Sequence, residues 1–115
     1  MQITRFSDAQ KYETTGHFDM AGLRLQGGAA TRTDGVTISL SYFLPGGGAD
    51  RSASPTEKYY VVLDGEVTIG LDEGEQILGP LDSCHLAGGE ARSILNWGKT
   101  VARMLVVIVT PRGEK

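Results

Sequence analysis

The sequence predicts an all-β domain of short antiparallel strands, and three observations predict it. Residues 36 to 44 alternate, with Val36, Ile38, Leu40, Tyr42 and Leu44 on one face and Thr37, Ser39, Ser41 and Phe43 on the other. Residues 66 to 71 repeat the pattern, with Val67, Ile69 and Leu71 on one face. Sixteen glycines in 115 residues punctuate the chain, and no window gives an amphipathic helix. Many short strands joined by Gly-rich turns make a β-sandwich or a barrel.

Each element follows in order. Residues 1 to 11 are polar and read as an N-terminal arm or first edge strand. His17-Phe18-Asp19-Met20 alternates and so does Leu23-Arg24-Leu25-Gln26, with a phase slip at Ala21-Gly22 that predicts a bulge or turn. Residues 27 to 35 form a loop. After the strand over 36 to 44, Pro45-Gly46-Gly47-Gly48 reads as a tight turn into a polar loop. Tyr59-Tyr60-Val61-Val62-Leu63 is a β-rich strand that closes on Asp64-Gly65, a hairpin turn. Asp72-Glu73-Gly74 turns the chain toward Gln76-Ile77-Leu78. Residues 83 to 86 and 91 to 96 are short strands split by Ala87-Gly88-Gly89. Residues 101 to 109 are almost continuously apolar and read as a strand buried on both faces.

The length fits one domain, residues 1 to 115. A net charge of −3 argues against a nucleic-acid binder, which would carry a basic patch. The longest apolar run, Met104 to Val109, is strand-sized and too short to span a bilayer, so no membrane partner is expected. MQITRFSDAQ carries no apolar signal region, and the single cysteine, Cys84, cannot form an internal disulfide; both point to the cytosol.

Residues 43 to 67, FLPGGGADRSASPTEKYYVVLDGEV, carry the most information. Together with Ala87-Gly88-Gly89 and Arg92 to Asn96 they resemble the two motifs of a small single-domain cupin, a double-stranded β-helix or jelly-roll barrel, antiparallel throughout. In cupins the first motif (here about 45 to 65) carries two histidines and a glutamate ahead of a glycine, and the second (about 79 to 96) carries a third histidine ahead of an asparagine. Counting back from Gly65 puts Lys58 at the glutamate position and Ser54 and Ser52 at the histidine positions. Glu57 is one position off and faces the other side of the strand. In the second motif Ala87 stands for the proline, Arg92 for the histidine, and Asn96 fits.

The resemblance implies a metal site of three imidazoles and a carboxylate. Two hydroxyls, an ammonium and a guanidinium are not competent ligands for such a metal, so no metal and no other cofactor is expected here. His17 and His85 do not match ligand positions. The exchange inverts the charge of the site: a lumen presenting Lys58 and Arg92 favours a small anion, with Ser52 and Ser54 adding hydroxyl donors. Arg92 can instead bridge to Glu90, and the serines can simply solvate a loop.

Lys58 has three open readings. It binds the ligand; it acts as a general base or carbonyl nucleophile, with burial and Arg92 lowering its pKa; or it pairs with Asp50 or Glu90 as internal glue. Tyr60 either assists from its hydroxyl or packs with that hydroxyl satisfied. His17 either shuttles protons at the barrel mouth or is an ordinary polar residue. Arg24 either extends a positive lumen or, the favoured reading, lies on the surface; Tyr42 reads as core and Cys84 as a small buried hydrophobe.

Two functions follow from different classes. One is a metal-independent cupin enzyme of the isomerase, lyase or decarboxylase type, acting on a small carboxylate or carbonyl compound, with Lys58, Tyr60 and His17 catalytic and Arg92, Ser52 and Ser54 binding. The other is a non-catalytic module that binds a small molecule. The family resemblance also implies a homodimer.

Overall fold

The computed structural model describes residues 1–110. A short 3-10 turn, Phe6–Asp8, precedes nine antiparallel strands among the described residues: β1 (Gln10–Tyr12), β2 (His17–Gln26), β3 (Val36–Ser52), β4 (Glu57–Asp64), β5 (Val67–Leu71), β6 (Gly74–Leu78), β7 (Ser83–Leu86), β8 (Arg92–Leu95) and β9 (Ala102–Val109). They hydrogen-bond in the order β6-β5-β8-β3-β9-β4-β7, with β2 against β3 and β1 against β2. No helix among the described residues is long and apolar enough to cross a membrane.

The architecture turns on β3, whose 17 residues serve both halves of the barrel. Its first half pairs with β9, from Val36↔Val109 to Phe43↔Ala102; its second half pairs with β8, through Gly48↔Leu95 and Ala49↔Ile94. The Pro45-Gly46-Gly47-Gly48 segment is therefore a bend inside one strand, not the turn that the sequence predicts. Gly46 takes φ 84°, open to glycine at little cost. A Cβ at Gly47 would run into the Asp19 carbonyl, and one at Gly48 into the Ile94 carbonyl. The missing side chains let β2 and β8 close on both sides of the bend.

Asn96 locks that bend. Its backbone N–H donates to the Gly47 carbonyl and the Gly46 N–H donates to the Asn96 carbonyl, each at 2.8 Å. Its side-chain amide donates to the Phe43 carbonyl at 2.9 Å and the Thr100 carbonyl at 2.8 Å, and accepts from the Gly98 N–H at 2.9 Å. With Asn96 only 1% exposed, Asn96→Ala is expected to cost about 2 kcal/mol or more, because it strands buried backbone groups. The melting temperature should fall by roughly 10 °C, and calorimetry checks it.

The inward faces of the strands are set by pairing rather than by the most apolar side. Lys58, Tyr60 and Val62 face Ile108, Val106 and Met104 across β4–β9, and those face Thr37, Ser39 and Ser41 across β3. Ser39 and Ser41 are accordingly buried at 1% and 3%. Tyr42, expected in the core, lies on the outer face opposite Arg103, which pairs bidentately with Asp64. Along β9 only Ala102 and Met104 are fully buried; Leu105 and Val107 on the outer face and Val106 and Ile108 on the cavity face are partly covered. The bulges of β2 fall between Phe18 and Met20 and between Arg24 and Gln26, rather than at Ala21-Gly22. Asp19, at φ 48°, takes up the first of them.

One end of the barrel is filled by a core of Phe43, Val62, Val67, Ile69, Ile94 and Met104. The other end stays open, because the side chains there are polar or charged.

Candidate functional site

Above that core lies a cavity of about 240 Å³ with Phe43, Ile94 and Met104 at its base. His17, Ser52, Ser54, Lys58, Tyr60 and Arg92 all line it. The structure thus brings together all six residues singled out from the sequence. They come from four strands and the β3–β4 loop. His17 opens β2 opposite Ala49, Lys58 and Tyr60 alternate along β4, and Arg92 begins β8 opposite Ser52.

Arg92 is 6% exposed and fixed by three acceptors. Its Nε donates to the Tyr60 hydroxyl at 2.8 Å, and Nη1 donates to Ser52 Oγ at 3.1 Å and the Asp50 carbonyl at 3.2 Å. The bridge to Glu90 is not formed; Glu90 Oε1 accepts from the Ala87 N–H instead. Tyr60, 1% exposed, has its hydroxyl satisfied as an acceptor. Burial pushes its phenol pKa up, and the guanidinium beside it partly offsets that.

Lys58 is 9% exposed, between Ile108 of β9 and Leu86 of β7. It forms no ion pair with Asp50 or Glu90 among the described residues. Burial lowers its pKa, and the Arg92 charge lowers it further. Ser54 lines the cavity but spends its hydroxyl locally, at 2.7 Å from Thr56 Oγ1 and accepting from the Thr56 N–H. Its position is more that of a turn-former than of a free donor.

The His17 pKa is also lowered, first by burial and then by Arg92, against the opposing pull of the Thr15 carbonyl and Asp50. A histidine lowered on folding binds its proton more readily in the unfolded chain. Stability is therefore expected to fall as pH drops through the unfolded value of about 6.5, until pH passes below the folded one. His17→Gln should flatten that part of the curve, as urea melts at several pH values would read.

Sequence reasoning did not single out Tyr12, Thr14, Thr15 or Ser41, which also line the cavity, and it favoured the surface over the lumen for Arg24. Arg24, read as a surface side chain, lines the cavity, donates to Ser39 Oγ at 2.8 Å and stacks on the Tyr12 ring at 4.0 Å. Tyr12 lies flat against Gly22, where a Cβ would sit 2.8 Å from its ring. The pair divides the lumen from an outer cleft of about 290 Å³ beneath the N-terminal segment, lined by Arg5 and Lys11 among others. Neither Arg24 contact follows from alternation along the strand, because β2 shifts register between Arg24 and Gln26. Cys84 lies beside Tyr60 across β4–β7, and its thiol pKa is raised by burial. His85 faces outward and binds Glu57 at 2.6 Å.

The lumen therefore presents Arg24, Lys58 and Arg92, one imidazole, and hydroxyls from Thr14, Thr15, Ser41 and Ser52, with no Asp or Glu in its lining. Among the described residues no three His, Cys, Asp or Glu side chains come together. An arrangement of this kind can bind an anion and can stabilise negative charge that develops during a reaction.

No family model matches the chain. It is 43% identical over 99% of its length, and 98% of the relative's, to the protein named beta-D-galactosidase Rv1717 of Mycobacterium tuberculosis. Among solved structures it resembles the polyketide cyclase RemF of Streptomyces resistomycificus (TM-score 0.84, 19% identity, 99% of this chain and 82% of that one). It also resembles a predicted oxalate decarboxylase of Thermotoga maritima (TM-score 0.80, 20% identity, 96% and 100%). An RmlC-like cupin of Shewanella frigidimarina is similar too (TM-score 0.79, 12% identity, 98% and 94%). At these identities the solved structures bear on the fold alone.

Proposed function

Because the chain is a small cupin, and belongs with the mycobacterial protein to which it is 43% identical, we propose that its barrel lumen is the active site of a metal-independent enzyme acting on a small anionic, sugar-derived carbonyl compound. One observation carries this reading: Lys58 and Arg92, both largely buried, share a cavity that no carboxylate among the described residues lines. Arg92, with Ser52, holds the substrate's carboxylate. Lys58 stands at the reacting carbonyl, with Tyr60 and His17 as its proton partners. The hydroxyls of Thr14, Thr15 and Ser41 suit a polyhydroxylated body. Metal independence is supported by the donor set, since hydroxyls, an ammonium and guanidinium groups with a single imidazole do not make a divalent-metal site.

Charge also favours a reaction type. Cations around the lumen lower the energy of a developing enolate or alkoxide, which is what isomerase, lyase or decarboxylase chemistry requires. They raise the energy of an oxocarbenium ion, through which glycoside hydrolysis passes between two carboxylates.

Hydrolysis of a β-D-galactoside is the second reading, favoured by the relative's name and its full-length match. The two separate in one assay. Chelator-treated protein is given nitrophenyl β-D-galactoside in one series and a panel of sugar acids and 2-oxo acids in the other. Turnover of an acid, with no nitrophenol release, supports the first reading; galactoside hydrolysis that Lys58→Met leaves intact replaces it with the second.

A homodimer and a cytosolic setting belong to the same proposal. The partly covered apolar outer face of β3, β9 and β4, with Ile38, Leu105, Val107 and Val61, supplies the dimer surface. The single, half-buried Cys84 suits a reducing compartment. Sedimentation as a monomer at micromolar concentration would remove the dimer from this reading.

A further inference from the structure

Arg92 uses Nε and Nη1 on protein acceptors, and its Nη2 donates to no protein group among the described residues. Tyr60 accepts from Arg92, so its own O–H remains available to the lumen. Lys58 is flanked by Ile108 and Leu86 and makes no hydrogen bond or ion pair among the described residues. The cavity therefore holds one guanidinium edge, one hydroxyl donor and one amine, all without protein partners. An amine on a largely buried residue, without a protein partner and near a fixed positive charge, favours its free-base form, and the free base is the nucleophile.

We propose that Lys58 is a covalent nucleophile that forms an imine with a 2-oxo acid whose carboxylate is held by Arg92. This rests on the reading of the lumen as an anion site and goes beyond it by naming the bond that forms. The Lys58 nitrogen lone pair adds to the C2 carbonyl carbon. The carbon–oxygen π pair moves to oxygen, which takes a proton from the Tyr60 hydroxyl. One nitrogen proton then passes to the carbinolamine hydroxyl, which leaves as water as the nitrogen lone pair forms the carbon–nitrogen double bond, and the other nitrogen proton returns to Tyr60. Amine and ketone have become imine and water, with no oxidant or reductant consumed. In a 2-oxo acid the carboxylate and carbonyl are adjacent, which suits a cavity of about 240 Å³ that presents both partners.

The test is reductive trapping on the full chain. Protein is incubated with pyruvate and cyanoborohydride, and the adducts are located by peptide mass spectrometry. Hydride enters at the imine carbon and leaves a stable secondary amine. The expected result is labelling of Lys58 at least about tenfold faster than Lys11 or Lys99, because Arg92 holds the carbonyl beside the Lys58 amine. Acetaldehyde, which lacks the carboxylate, serves as the reference aldehyde. In Arg92→Met the preference for pyruvate over acetaldehyde at Lys58 should disappear. Arg92→Lys, which keeps the charge but not the fork, should lose most of it.

Labelling of Lys58 no faster than the other lysines overturns the proposal. So does an unchanged pyruvate preference in both Arg92 variants. Propionate, which carries the carboxylate but no carbonyl, separates the two levels of inference. If it raises the melting temperature while pyruvate fails to trap, the imine is wrong and the anion site stands. If neither occurs, both fail together.

Discussion

Arg92→Ala is expected to abolish the response of the barrel to small carboxylates. A saturating anion, at about a hundred times its dissociation constant, should stabilise the native protein by about 2.7 kcal/mol. Removing one partner of a buried, charge-assisted contact costs about 2–5 kcal/mol. Affinity then falls by about 30-fold or more, and most of the thermal shift goes with it at the same ligand concentration. The variant's own stability should move less. Tyr60 loses the donor at 2.8 Å, but the charge that lowers the Lys58 pKa is gone as well. Differential scanning fluorimetry across a carboxylate series reads both quantities. A thermal shift that survives intact in Arg92→Ala would remove the guanidinium from the binding site. Arg92→Lys should fall between the two, because an ammonium cannot reproduce the fork that reaches Tyr60 and Ser52 together.

Lys58→Met is expected to act in the opposite sense on stability and to eliminate turnover. The substitution replaces a lysine that is 9% exposed by an apolar residue of similar length, next to Ile108 and Leu86. Removing a poorly solvated cation that has no ion-pair partner in favour of a packing side chain is stabilising. A melting temperature raised by several degrees is therefore expected. The sign of the pH dependence follows from the lowered Lys58 pKa. Between that value and the unfolded one the unfolded chain binds more protons, so wild-type stability rises with pH through this window. In Lys58→Met that rise should be missing. Turnover of a carbonyl substrate should drop by at least about 100-fold, the range in which a positioned proton-transfer or nucleophilic group contributes. Anion binding through Arg92 should remain measurable. Full activity in a correctly folded Lys58→Met protein would leave the lysine as a structural group and end its catalytic assignment.

Part of the site was legible in the chain because parity along a strand is local information. Lys58 and Tyr60 must share a face, and Glu57 and Tyr59 must take the other. Once the spacing back from Gly65 resembled the first cupin motif and Ala87 to Asn96 the second, Ser52, Ser54 and Arg92 fell toward the same lumen, and they line it. Arg24 and Tyr12 were not legible in the same way. Tyr12 reaches the lumen because Gly22 leaves room for its ring, and Arg24 is held by a serine fifteen residues away. Neither relation leaves a periodic trace.

The strand over 36 to 44 shows the limit most plainly. Apolarity assigns Ile38, Leu40 and Tyr42 to the interior; Leu40 is buried, but Ile38 and Tyr42 are only partly covered, and the lumen is lined instead by Ser41 and Phe43. The inward face is fixed by the register with β9, which sets Ser41 opposite Met104 and Phe43 opposite Ala102. Polar side chains such as Ser41 face this lumen beside Phe43, so hydrophobicity alone is a poor guide to the inward side.

By itself, then, the sequence determined the all-β class, most strand positions, the cupin pattern and the positive character of the motif residues. These rest on short-range steric and alternation rules that hold wherever a strand is placed. Only the tertiary structure decided which faces turn inward, that β3 bends rather than turns at its glycines, and that Lys58 and Arg92 meet in one cavity without a carboxylate between them. Those outcomes depend on pairings between residues dozens of positions apart, such as Ser52↔Arg92 and Lys58↔Ile108, and on the balance between packing and desolvation that only a closed barrel imposes.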